Sequence, residues 1–175
     1  MLFLGEQMRI KTPTVSSGFT LIETTIAAAL SALFLSSLFA MNISSMETMR
    51  SAKESASASQ VLQQRIESMR IANWHEITDA SWIQTNLLNA NAAGGDALKG
   101  LSETLTIAPY GSSNVATTQL SRAAGTATII TQNTNLLAEN AVKIIWTVNY
   151  TGAPNDRACT RQIVAILAKG GVAKW

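Results

Sequence analysis

Glu23 lies at the mouth of a long apolar run; from Ile26 to Ile43 the chain holds no charge, proline or glycine. A carboxylate at the centre of a bilayer costs about 2.5 to 3.5 kcal/mol on insertion scales, but near a helix end it costs less and can meet a positive partner. The residues ahead of it, Ser16-Ser17-Gly18-Phe19-Thr20-Leu21-Ile22-Glu23, suggest where that partner comes from. A peptidase cut between Gly18 and Phe19 would remove residues 1–18, keep the apolar segment and leave a new ammonium on Phe19. The carboxylate of Glu23 could then pair with that ammonium, in its own chain or in a neighbour. The chemistry implied is processing followed by ion pairing.

Other reactive side chains are scarce. Cys159 is the only cysteine and His75 the only histidine. No disulfide can close within the chain, and zinc sites built from cysteine pairs, CxxC redox motifs and multi-histidine metal sites are excluded. A thiolate nucleophile needs an imidazole beside it, but Cys159 opens a strand-like segment while His75 follows a helical one. No G-x-S-x-G elbow, phosphate loop or dinucleotide fingerprint is present. Asp96 and Asp156 lack the alternating oxygen ligands of a calcium loop. The expectation is a protein with no catalytic residues, no metal and no cofactor.

The elements that position Glu23 follow from hydropathy and length. Counted from Phe19, the apolar stretch is about 25 residues, roughly 37 Å as a helix, against about 30 Å for a hydrocarbon core. A secretory signal has a shorter apolar region with its cleavage site after it, whereas here the glycine comes first. Arg9 and Lys11 precede the segment and Arg50 and Lys53 follow it, so nearby charge alone orients it weakly; a short cytoplasmic head and a translocated C-terminal part are expected. With 175 residues, a formal charge of +2 and 14% charged residues, the chain offers one modest core and no broad basic footprint. From Trp74 onward the cations are scattered among Glu76, Asp79, Asp96, Glu103, Glu139 and Asp156. Arg157 and Arg161 are the only hint of a basic patch, so no nucleic-acid partner is expected.

After Ile43 the chain turns polar without a turn signal. Met46, Met49, Ala52, Ala56, Ser59, Leu62, Ile66 and Met69 recur at steps of three and four, while Glu47, Arg50, Glu54 and Arg65 take other faces. The helix is predicted to reach about Ala72, with its later, bulkier half packing on a globular domain and its methionines filling the core.

Gly18-Phe19-Thr20-Leu21-Ile22-Glu23 resembles the class III signal of type IV pilins and type II secretion pseudopilins. The resemblance implies a prepilin peptidase that cuts after Gly18 and methylates the amine of Phe19. It also implies that Glu23 pairs with the amine of an adjacent subunit during filament assembly. "LQQRIESMRIANW" is similar, more weakly, to the helix end of minor pilins of the PilV type and the equivalent minor pseudopilins. Thr24 and Thr25 replace the more usual aliphatic residues, but each can return its hydroxyl to a backbone carbonyl a turn earlier. Ala40 stands where many major pilins carry a helix-bending proline, so a kink is not expected and a minor subunit is favoured.

In the remainder, Trp82, Ile83, Leu87 and Leu88 suggest a short helix ended by Ala92-Ala93-Gly94-Gly95-Asp96. Four strands are predicted: Leu101 to Ala108, Thr126 to Gln132, Ala141 to Tyr150 and Cys159 to Ala168, the last two forming a hairpin through residues 151–156. In the first, Leu101, Leu105 and Ile107 oppose Thr104 and Thr106. Asn114 to Gly125 shows no clear period and reads as a surface loop. Helix first and strands after give an α+β layer fold, which is also the pilin fold implied by the signal: a long N-terminal helix on a small antiparallel sheet of about four strands.

The expected organisation is a leader at 1–18, a long helix at 19–72 divided into a membrane and assembly half (19–43) and an amphipathic half (44–72), and a head at 73–175. The expected function is that of a minor pilin or pseudopilin that assembles or primes a filament. It would reside in the bacterial inner membrane with a periplasmic head before entering the filament. Its partners would be the prepilin peptidase, other pilins or pseudopilins and the inner-membrane assembly platform. The alternative is a filament-tip or membrane-anchored binding protein that captures DNA, a surface or a secreted substrate.

Overall fold

The structure, a computed structural model, describes residues 20–111 and 116–170. The chain divides into two compact units that meet between Ile43 and Ser44. Helix α1, Leu21–Ile71, contributes to both. In the first unit its side chains are exposed all round, among them Leu30, Phe34 and Phe39. A helix apolar on every face finds no polar side to turn to water. Among the described residues, α1 is the one helix long and apolar enough to cross a membrane.

In the second unit, α1 buries Ala58, Val61, Leu62, Arg65, Ile66 and Met69. This spacing of three and four makes one face. The expected face is correct only from Leu62 onward: Met46 and Met49 are about 70% exposed, and Ala52, Ala56 and Ser59 are exposed as well. Their small and thioether side chains carry too little apolar area to set the packed face, which the bulkier Val61, Leu62, Ile66 and Met69 define. The methionines therefore divide, Met69 in the core and Met46 and Met49 outside it. Two short helices, α2 (Trp74–Thr78) and α3 (Ala80–Ile83), follow, and α3 runs on through a π-helical turn, Gln84–Leu88. Asp79 caps α3 by accepting from the Ser81 N–H at 2.9 Å.

The sheet has five antiparallel strands, not the expected four: β1 Lys99–Pro109, β2 Thr118–Ala123, β3 Thr126–Thr131, β4 Ala141–Gly152 and β5 Arg157–Ala168, in the order β3-β2-β1-β4-β5. The additional strand, β2, occupies the segment expected to be a surface loop. Its inward row is Thr118, Leu120 and Arg122, so two polar residues hide the alternation that a lone leucine cannot establish. Ala124 and Gly125 both have positive φ, 49° and 82°. They join β2 to β3 in the two-residue turn whose twist suits a hairpin.

The inner face of β4, Val142, Ile144, Trp146, Val148 and Tyr150, is buried as its alternation predicts. It packs with Leu105, Ile107 and Leu120 beneath the second half of α1, forming one core. This is the α+β arrangement of helix on antiparallel sheet.

The β4–β5 turn is tied to the helix. Glu54 of α1 accepts from the Ala153 N–H at 2.8 Å, and Arg161 of β5 donates to the Ser55 hydroxyl at 2.6 Å. A Cβ on Gly152 would lie 2.9 Å from Cys159 Sγ and 3.3 Å from Glu54 Oε2. Gly152→Ala is therefore expected to destabilise the protein by about 1–3 kcal/mol, the usual cost of overpacking a filled site. Unfolding in denaturant measures it, and a variant as stable as the parent would show that the turn is not pinned by this contact.

Candidate functional site

Ionisable groups stand out in two regions, one on each unit: on the apolar, exposed part of α1 and in the buried core of the head. On the first unit, Glu23 lies in the first turn of α1. Thr20 caps the helix, its Oγ1 accepting from the Glu23 N–H at 3.3 Å. Threonine followed three residues later by glutamate is the signature of a capping box, but only this half of the box forms. The Glu23 carboxylate has no partner among the described residues, and it sits at the helix end whose partial positive charge favours an anion. Thr24 and Thr25 return their hydroxyls to the carbonyls of Leu21 and Ile22 at 2.9 and 2.8 Å, so neither β-branched residue leaves a polar group idle. Gly18 and Phe19, between which cleavage is expected, lie outside the described residues.

On the second unit, the register of β1 against β2 sets Glu103 directly across from Arg122, and Leu105 across from Trp146 of β4. The buried face of α1 brings Arg65 onto the same spot. Glu103 is fully buried, and Arg65 and Arg122 are 3% and 7% exposed. Arg65 grips Glu103 side-on, with Nε to Oε2 and Nη2 to Oε1 both at 2.9 Å. Arg122 Nη1 adds a third bond at 2.9 Å and the Trp146 indole N–H a fourth at 3.1 Å. The Arg65 guanidinium lies 5.8 Å from the centre of the Trp146 ring, within reach of cation–π attraction. It also donates to the carbonyls of Leu87 and Ala90. Arg122 Nη2 donates to Asn91 Oδ1 at 2.8 Å.

The cluster thus joins α1, β1, β2, β4 and the segment after the π-helical turn. These positions correct the expectation that Arg65 takes a face other than the packed one; Glu103 and Arg122, which read in the sequence only as members of a scatter of charges, are buried as well. The physical reason is that the two guanidinium groups converge on one carboxylate that accepts from both, which offsets much of the cost of placing charges in inward rows normally reserved for apolar residues. A signal was present in β1. Glu103 falls in the same alternating row as Leu101, Leu105 and Ile107, so an acid stands where the period demands a buried residue.

No family model matches the chain, and no curated protein and no solved structure matches it either. Its chemistry therefore rests on its own residues. His75 is on α2 and Cys159 on β5, and Cys159 is a free thiol of intermediate exposure. Among the described residues no group of three or more histidine, cysteine or acidic side chains could hold a metal ion. Asp156, one of the two aspartates weighed as calcium ligands, pairs with Lys99 at 2.9 Å. The hydrogen bond and charge of Lys99 hold its carboxyl below the usual aspartate range. Such a lowered carboxyl supports the fold above its ordinary pKa and loses that support as pH falls through the lowered one. With both partners exposed, the contribution is small.

Proposed function

We propose that this chain is a filament subunit of the type IV pilin and type II secretion pseudopilin kind, a minor one, which assembles or primes the filament through α1. In this reading, prepilin peptidase cuts after Gly18 in the inner membrane, Phe19 becomes the methylated N-terminus, and Glu23 receives the ammonium of a neighbouring subunit as the subunit leaves the bilayer. The platform that lifts it and the other pilins or pseudopilins are its partners, and the head of helix on sheet faces the periplasm before assembly. One observation carries the reading. Glu23 is the only ionisable side chain between Leu21 and Met46, it stands in the first turn of a helix whose first half is otherwise apolar, and its carboxylate has no partner among the described residues.

The half-formed capping box supports it further, because a carboxylate that closed the box onto its own helix would be engaged before any neighbour arrived. The unbroken α1, which passes Ala40 without a bend-forming proline, agrees with a minor subunit. Intact-mass and N-terminal analysis of the membrane-extracted protein tests the processing step. The expected mature chain begins at Phe19 and bears one N-methyl group, and a chain that keeps residues 1–18 would overturn the proposal.

A further inference from the structure

The geometry points to a carboxylate-binding site on the head at Arg122, beside the buried cluster and independent of the filament reading. Two guanidinium groups share a single carboxylate here, so Arg65, Glu103 and Arg122 together hold one uncompensated positive charge in a place almost closed to water. Glu103 is saturated, with three arginine N–H bonds and one indole N–H bond. It can accept nothing more from Arg122. Arg122 Nε is buried and has no hydrogen-bond partner among the described residues, a costly state for a charged donor.

The Nε and Nη2 of an arginine form one edge that takes a carboxylate side-on, through two parallel bonds. Arg65 uses that edge on Glu103. On Arg122 the same edge is half used: Nη2 is held by the neutral amide oxygen of Asn91 and Nε by no group among the described residues. Asn91 is exposed, lies outside any helix or strand and makes no other side-chain hydrogen bond among the described residues, so it can swing away at little cost. It lines, together with Arg122, Leu98 and Leu101, a pocket of about 230 Å³. The volume suits a small carboxylic acid or one acidic side chain. Asp96, also on the rim, is exposed to water, which screens its repulsion of an incoming anion far more than the enclosed Arg122 is screened. A carboxylate entering the pocket displaces the Asn91 amide and bonds Nε and Nη2 together, exchanging one hydrogen bond to a neutral oxygen for two to an anionic group.

The test follows the arginine Nε–H signals of the ¹⁵N-labelled full chain in detergent micelles while acetate is added against a chloride control of equal ionic strength. A capped tripeptide with a central glutamate is titrated in parallel. Saturable movement of the Arg122 signal by acetate identifies a site for free small acids; movement by the peptide alone identifies a site for an acidic side chain of another chain. Movement by neither, or equal movement by chloride, overturns the site. Two variants make the test independent of the cluster's integrity. Asn91→Ala removes the competing amide and is expected to tighten the responding probe about tenfold. Asn91→Asp supplies the carboxylate from within the chain and is expected to abolish the response and raise the unfolding temperature. If Asn91→Asp leaves both unchanged, Arg122 does not present the open edge described.

Discussion

Replacement of Glu103 by alanine is expected to lower the free energy of unfolding by about 3–5 kcal/mol, the range found when one partner of a buried ion pair is removed. Glu103 accepts from four N–H groups of three side chains. Its loss leaves Arg65 and Arg122 facing each other with no counter-charge, and the Trp146 indole without a partner. For a domain held by about 5–15 kcal/mol, that is a large fraction of the whole. Glu103→Ala/Arg122→Leu is expected to recover part of the loss, because removing the second guanidinium relieves the repulsion. Arg65 must stay, since it also satisfies the carbonyls of Leu87 and Ala90. Denaturant unfolding followed by tryptophan fluorescence, to which the buried Trp146 contributes, measures both variants. A cost under about 1 kcal/mol for the single change, or additive costs for the pair, would mean that these groups do not act as a unit.

If the chain assembles as proposed, Glu23→Ala is expected to leave membrane insertion intact and to reduce incorporation into the filament by about two orders of magnitude. Removing a carboxylate from an apolar helix favours its entry into lipid. Within a packed bundle of such helices, however, an ammonium with no acid to meet carries a penalty of several kcal/mol, and each 1.4 kcal/mol is about tenfold in an equilibrium. Separation of membrane-resident from assembled subunit by fractionation supplies the ratio. Incorporation of the alanine variant at the parental level would remove Glu23 from the assembly step, even if cleavage after Gly18 occurs as proposed.

Much of the fold is legible along the chain. The apolar run that begins α1, its polar continuation, the alternating β4 and the turn residues that lead into β5 each express one physical preference strongly. What escapes is what depends on pairing between distant residues. β2 escapes because Thr118 and Arg122 occupy its inward row, and an arginine reads as a surface residue until Glu103 is placed opposite it across two strands. The face of α1 is misjudged between Met46 and Ser59 because small residues recur there with helical spacing but bury little area. Glu23 stands out by contrast, a single charge in an uncharged stretch needing no partner to be noticed. The internal cluster is the reverse case, in which each charge looks ordinary alone and only the register between strands reveals the set.

The packing around the β4–β5 turn has a practical consequence. The molecule's one thiol belongs to Cys159, half-covered next to Gly152 and near the Glu54 carboxylate that fastens the turn. Because Cys159 is only partly exposed, a sulfhydryl-directed reagent is expected to react more slowly than with a fully exposed thiol, and faster alkylation would report loosening of that corner. The native chain thus carries one thiol beside the turn whose reactivity can follow the packing of that corner, with no engineered label required.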